Sequence, residues 1–321
     1  MQTIHRALLA ATVLALAASA SAQTFPTRPV RIIVPFPAGG PSDILTRMMG
    51  PKLADLWGQQ VVVDNRPGAG TIIGTDLVAK AVPDGHTLVM VYTGHAANPS
   101  LHSKLPYDTL RDFAPVTLGT TLPIIIVAHP SLPAGSVKEL IALAKAKPRQ
   151  IAFATSGNGS AGHLAGELFK SVAGVNLLHI PYKGSAPAIA DVLGGQVPIT
   201  FDGLPAALPH VQAGKLRAIA VTSLERSPLL PDVATVAESD FPGFSADSWF
   251  GVLAPAKTPP AVVKQLNANM VKVLQLPEIR DRLVAMGYRP IANTPEQFDA
   301  FIRAEIAKWA KVIREAGITV D

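Results

Sequence analysis

Two glycine-rich segments carry the clearest chemistry in this 321-residue chain. The first is Phe36-Pro37-Ala38-Gly39-Gly40-Pro41-Ser42-Asp43. The second is Thr155-Ser156-Gly157-Asn158-Gly159-Ser160-Ala161-Gly162. Each follows a short apolar run and leads into a helical pattern. Glycine lets the main chain approach a ligand closely and adopt positive φ. A helix N-terminus offers unpaired N–H groups and about half a positive charge. Together these make an anion socket without arginine or lysine. Ser42 and Ser160 stand where they can cap the helices or turn their hydroxyls to a ligand. Asp43 suits a ligand ammonium or a bridging water, or simply an acid in the first helical turn. Asp202, in Phe201-Asp202-Gly203, is placed for the same contact or for an Asx turn. One such loop needs no more than turn chemistry to explain it. Two of them, in separate halves of the chain, point to a site between.

Other constellations are weaker. Gly157-x-Gly159-x-x-Gly162 has the spacing of a dinucleotide fingerprint, but the following strand ends in Pro181-Tyr182-Lys183 where an acid should hold a ribose. His163 and Glu167 share a helix face with no third metal ligand in view. Around Ser160 the leading glycine of a nucleophile elbow is missing, and His163 lies three residues away on one helix, which is poor triad geometry. A secreted serine hydrolase using Ser160 and His163 is therefore the alternative reading. No catalytic residue, cofactor or metal is assigned. Lys183 faces the cleft or solvent, and Trp249 and Phe36 line a pocket or fill the core.

The elements that must position these loops follow from hydrophobic periodicity. Apolar runs at 30–34, 61–63, 87–92, 124–128, 151–154, 177–180, 197–201, 216–221 and 250–253 read as strands. Helical spacing covers 44–56, 72–81, 137–146, 160–173, 189–193 and 208–213. Strands apolar throughout fit a sheet covered on both faces, and the alternation predicts an α/β class with doubly wound, mostly parallel sheets. Pro260, Pro277 and Pro295 each announce a closing helix. Two α/β groups with a helical ending predict two lobes crossed twice by the chain, near 118–123 and 248–255. Lobe 1 is then 23–122 with 250–321, and lobe 2 is 123–249.

Composition narrows the function classes. Zero Cys excludes disulfide scaffolds and thiolate chemistry. The net charge of +5 comes from scattered basic residues, with no run of three, which argues against nucleic-acid binding. His5 and Arg6, the small apolar run at 7–18 and Ala20-Ser21-Ala22 predict a signal peptide, 1–22, cleaved after Ala22. Export without Cys suits a bacterial periplasm and places the chain away from cytoplasmic nucleotides.

Taken together these segments resemble the solute receptors of tripartite tricarboxylate transporters, the Bug-type periplasmic receptors. The resemblance runs from about Phe25 to Asp321. It is carried by the first loop, by Val63-Asp64-Asn65-Arg66-Pro67-Gly68-Ala69-Gly70, by Pro83-Asp84-Gly85-His86-Thr87-Leu88, and by Asp112-Phe113-Ala114-Pro115-Val116. It continues through Gly157-Asn158-Gly159-Ser160, His163-Leu164-Ala165-Gly166-Glu167, Pro181-Tyr182-Lys183-Gly184-Ser185-Ala186-Pro187-Ala188 and Leu230-Pro231-Asp232-Val233. The resemblance implies a two-lobed periplasmic-binding-protein-like fold of type II, with two crossover strands and a ligand cleft between the lobes. It implies a monomer that captures a small carboxylate (a dicarboxylate, amino acid or aromatic acid) and hands it to inner-membrane permease subunits, or reports it to a signalling system. It also implies that Phe36 to Asp43, chiefly the amides of Ala38, Gly39 and Gly40, hold the carboxylate. Ser156, Gly157, Asn158, Gly159 and Ser160 face them, with Asp202 in the pocket. Gly203 stands where members often carry Asn, so contacts there do not transfer.

Overall fold

The computed structural model describes residues 25–318, so the expected signal peptide lies outside the described residues. In the first half, β1 (Val30–Val34) leads to α1 (Pro41–Trp57), β2 (Val61–Asn65) to α2 (Ile72–Ala79), and β3 (Thr87–Tyr92) to α3 (Thr93–Leu101). β4 (Phe113–Leu122) follows. A second series then runs β5 (Ile124–Ala128), α4 (Val137–Ala146), β6 (Ala152–Thr155), α5 (Ala161–Ala173), β7 (Leu178–Pro181), α6 (Ser185–Leu193), β8 (Ile199–Gly203), α7 (Leu204–Gln212) and β9 (Arg217–Val221). The chain closes with β10 (Ser248–Pro255), α8 (Pro260–Leu274), α9 (Pro277–Ala285), β11 (Arg289–Pro290) and α10 (Pro295–Ala316). The three closing helices begin at the three prolines expected to open them, since a first-turn proline gives up no hydrogen bond.

These strands form two sheets. The first has the order β11-β4-β10-β3-β1-β2 and the second β7-β6-β8-β5-β9. Leaving aside β11, both repeat one plan: three parallel strands, then an antiparallel strand arriving from elsewhere in the chain, then one more. The sheets are thus mixed, and in each, leaving aside β11, four strands run one way with a single antiparallel strand among them. The antiparallel members are β10 and β5, which enter from the other half of the chain and run against β3 and β8. The alternation of strand and helix reports βαβ units and says nothing of strands that pair after a long excursion.

Register places the crossings. Ser248 of β10 lies opposite Leu122, and Phe250 opposite Tyr92. Ile124 of β5 lies opposite Gly203. Only Pro123 separates β4 from β5. Both sheets are therefore joined at the edge where their parallel strands end, the edge that carries the βα loops. This is a two-lobed periplasmic-binding-protein-like fold.

Packing couples the lobes. One apolar cluster runs from Ile33, Val89 and Val91 of the first sheet to Ile126, Phe153 and Phe201 of the second, with Trp309, Val312 and Ile313 of α10 in it. A capping box of Thr294 and Gln297 starts α10, and Gly317 in the left-handed region ends it. Glu305 of α10 is buried and its Oε2 accepts the indole N–H groups of Trp249 at 3.0 Å and Trp309 at 2.9 Å. Trp249, on β10, is therefore a core residue that ties a crossing strand to the last helix. Among the described residues, no helix is long and apolar enough to cross a membrane.

Candidate functional site

The first loop is organised by Asp43. It is buried in the first turn of α1, and its Oδ2 accepts the Gly39 N–H at 2.9 Å. Arg47 Nε lies 3.0 Å from both carboxylate oxygens. Asn65, at the end of β2, donates its amide to Asp43 Oδ1 at 2.9 Å and to the Phe36 carbonyl at 3.0 Å. Burial works to raise the Asp43 carboxyl pKa, but Arg47, the Gly39 amide and Asn65 together hold it below the usual carboxylate value. Asp43 thus builds the loop, with both oxygens engaged by the protein. The Gly39 amide, expected to face a ligand, is spent on Asp43. Gly39 itself has φ +85°, the left-handed region. Gly40 is the N-cap of α1, so Ser42 sits inside the first turn and does not cap it. The amides of Ala38, Gly40, Ser42 and Asp43 make no hydrogen bond to any described residue. Phe36 packs edge-on against Tyr92 with ring centroids 4.7 Å apart.

The second loop has matching construction. Ser160 caps α5, its Oγ accepting the His163 amide at 3.2 Å. The Gly159 amide donates to His163 Nδ1 at 3.1 Å, and the Ser160 amide to the Gly157 carbonyl at 3.2 Å. Thr155 Oγ1 lies 3.3 Å from the Gly157 amide and 2.7 Å from His179 Nε2. The amides of Asn158, Ala161 and Gly162 make no hydrogen bond to any described residue. A Cβ at Gly162 would overlap the Phe201 carbonyl, so the third glycine of the fingerprint-like spacing serves helix-on-strand contact without any nucleotide. Leu101 Cδ1, at the end of α3, would stand 3.1 Å from a Cβ on Gly159. The second loop therefore abuts lobe 1.

Asp202 lies next to last in β8, against the first residue of α6. Its Oδ1 accepts from Ser185 Oγ and from the Gly203 amide, both at 2.7 Å, while Oδ2 is buried without a partner. Burial pushes this carboxyl's pKa up, against the lowering effect of those two donors. Lys183 is exposed to solvent.

The alternative chemistries have poor geometry here. Ser160 Oγ is bonded to the His163 amide, not to its ring, so no nucleophile–base pair forms. His163 Nε2 lies 3.9 Å from Glu167 Oε1, and Glu167 is held by Lys170 at 2.7 Å. No group of three metal-ligating side chains occurs among the described residues. A surface cavity of about 530 Å³ lies between α4, α5 and the end of α10, its lining including Lys145, Glu167, Lys170 and Glu315. It sits toward the C-terminal half of α5, away from the glycine loops.

Sequence reasoning missed Arg47, Asn65, Thr155, His179 and Ser185, the side chains that hold the loops. Asn65, Thr155 and His179 lie on strands and Arg47 and Ser185 on helices, so no shared spacing marks them in the sequence.

The buried imidazoles carry a pH consequence. Burial pushes His95 down to about 4, and burial with the neighbouring His179 and Lys170 pushes His163 down to about 3. Burial and Lys170 push His179 down to about 4. Between pH 6.5 and about 4 the unfolded chain binds protons at these rings that the folded chain refuses. Stability is thus complete above pH 6.5 and lost as pH falls. Asp247, raised by burial to about 6, and Asp202, also raised by burial, oppose this by favouring the fold at lower pH. The three rings outweigh the two carboxyls. Urea unfolding at pH 5 should show at least about 2 kcal/mol less stability than at pH 7. Equal stabilities would show that the rings are protonated in place.

The comparisons follow the geometry. A sequence profile described as "Tripartite tricarboxylate transporter family receptor" matches residues 45–318. Protein BugT of Bordetella pertussis is 43% identical over 94% of this chain and 93% of its own length. Among solved structures, R. palustris Rpa4515 with adipate is 39% identical with a TM-score of 0.83, covering 92% of this chain and 100% of that one. MatC from Rhodopseudomonas palustris with bound malate is 33% identical with a TM-score of 0.78, covering 90% and 100%. Extent of match and shared architecture agree: this chain belongs to the tripartite tricarboxylate transporter receptor family, and is a solute-binding receptor of the Bug type.

Proposed function

We propose that this receptor works in the periplasm, capturing a small carboxylate in the cleft between its lobes and delivering it to the inner-membrane permease subunits of a tripartite transporter. The lobes are 23–122 with 250–321, and 123–249, and the receptor acts as a monomer. The amides of Ala38, Gly40, Ser42 and Asp43 hold one carboxylate, and Asn158, Ala161 and Gly162 of the other lobe complete the enclosure. Phe36 forms a wall, Ser156, Gly157, Gly159 and Ser160 shape the second loop, and Asp202 lies at its floor.

The observation that carries this reading is the pair of helix starts with uncommitted amides at the two sheet edges joined by the crossings. A carboxylate there accepts charge-assisted hydrogen bonds worth roughly 1.5–3 kcal/mol each. Asp43 does not repel it, because Arg47 balances its charge. The adipate and malate in the two related structures support the ligand class. Micromolar capture requires about −8 kcal/mol, and lobe closure that excludes water strengthens each bond.

Thermal-shift screening of mono-, di- and tricarboxylates is expected to find a stabilising acid, with adipate and malate the first to test. At 100 times its Kd a ligand adds about 2.7 kcal/mol. Stabilisation by an uncharged sugar or a cation, with none by any acid, would overturn the proposal.

A further inference from the structure

The two loops share a bond that no sequence motif announces. In α1 the third helical residue, Asp43, reaches back and accepts the amide of Gly39, four residues earlier. In α5 the third helical residue, His163, reaches back and accepts the amide of Gly159, again four residues earlier. Both glycines have left-handed φ, +85° and +70°. The loops also occupy equivalent places in the repeated sheet plan, since β1 and β6 are each the middle strand of their parallel trio.

The difference is charge. Asp43 is an anion balanced by Arg47 and Asn65. In lobe 2 the cation on the same helix, Lys170, is already committed to the buried Glu167. A second carboxylate there would add an unbalanced negative charge to an anion site. An imidazole whose Nδ1 accepts a main-chain N–H carries its proton on Nε2 and has no charge. His179 stacks on it with ring centroids 3.9 Å apart and planes at 10°, and is fixed in turn by Thr155.

We propose that His163 is a positioning residue for ligand capture: its uncharged Nδ1 holds Gly159 in the left-handed turn, so that the first amides of α5 are presented to an anion without a competing negative charge. This rests on the receptor reading above. Burial, His179 and Lys170 push the ring's pKa down to about 3, which keeps Nδ1 available as an acceptor at neutral pH.

The test is calorimetric titration of adipate into the wild type and the variants His163→Ala, His163→Asn and His163→Asp. Their melting temperatures are measured alongside. His163→Ala should lose about tenfold in affinity. His163→Asn, whose Oδ1 can replace Nδ1, should recover most of it. His163→Asp restores an acceptor but should bind adipate more weakly than His163→Asn. Equal affinities in the three variants, with only melting temperatures changed, would make the residue merely structural and overturn the inference. If the wild type binds no acid at all, the receptor reading fails and takes this inference with it. A measurement on the wild type is independent of variant folding: the ¹⁵N shift of His163 Nδ1 should be that of an unprotonated nitrogen, and a protonated Nδ1 would contradict the proposal.

Discussion

Replacing Gly39 by proline is expected to lower carboxylate affinity by at least about 100-fold, some 2.7 kcal/mol, while costing only the about 1–3 kcal/mol of stability of one misfit turn. Three effects coincide at this position. Proline locks φ near −65° where the loop needs +85°. It removes the N–H that Asp43 accepts. It also confines Ala38 to extended conformations, which redirects that residue's amide. The global fold is spared because Gly39 is exposed and a Cβ there meets no atom within 4 Å. Asp43 keeps Arg47 and Asn65, so no buried charge is abandoned. Gly39→Ala is the control. It keeps the N–H and suffers only the strain of positive φ, about 1–2 kcal/mol. Calorimetry with adipate decides the matter: proline-variant affinity within about threefold of wild type would mean that the first loop does not hold the ligand.

The second large effect concerns stability. Glu305→Ala is expected to cost about 3–5 kcal/mol, because it strands two buried indole N–H groups, each worth roughly 1–3 kcal/mol when unpaired. It also leaves a void between Trp249 and Trp309. Those two rings belong to a crossing strand and to the helix that packs on both lobes, so the loss falls on the junction of the receptor. Lys308, which pairs with Glu305 and lies over the Trp309 ring, loses its counter-charge as well. Glu305→Gln keeps an acceptor and should cost about half as much. Chemical denaturation of the three proteins at pH 7 provides the measurement. A Glu305→Ala variant as stable as wild type would show that Trp249 and Trp309 find other acceptors.

Much of this architecture was legible beforehand. The strand–loop–helix alternation and the three proline-opened closing helices both reappear, because periodicity and proline act locally. The misses have physical causes. α3 contains Gly94, Asn98 and Pro99, poor helix residues that hold the helical form because Ala96, Ala97 and Leu101 are buried in the core. β4 carries Pro115, Gly119 and several threonines, and it is extended because β10 and β11 pair with it on either side.

The same division holds at the site. Residue types alone determined that the chain has two glycine-rich turns at helix starts and no cysteine chemistry, since glycine's conformational freedom and the missing thiols are properties of single residues. Tertiary structure alone decided which amides remain unspent. Asp43 and His163 claim the glycine amides, Trp249 goes to the core, and Ser160 binds main chain. Each outcome depends on partners brought together by sheet pairing and helix packing, and local patterning carries no record of those distances.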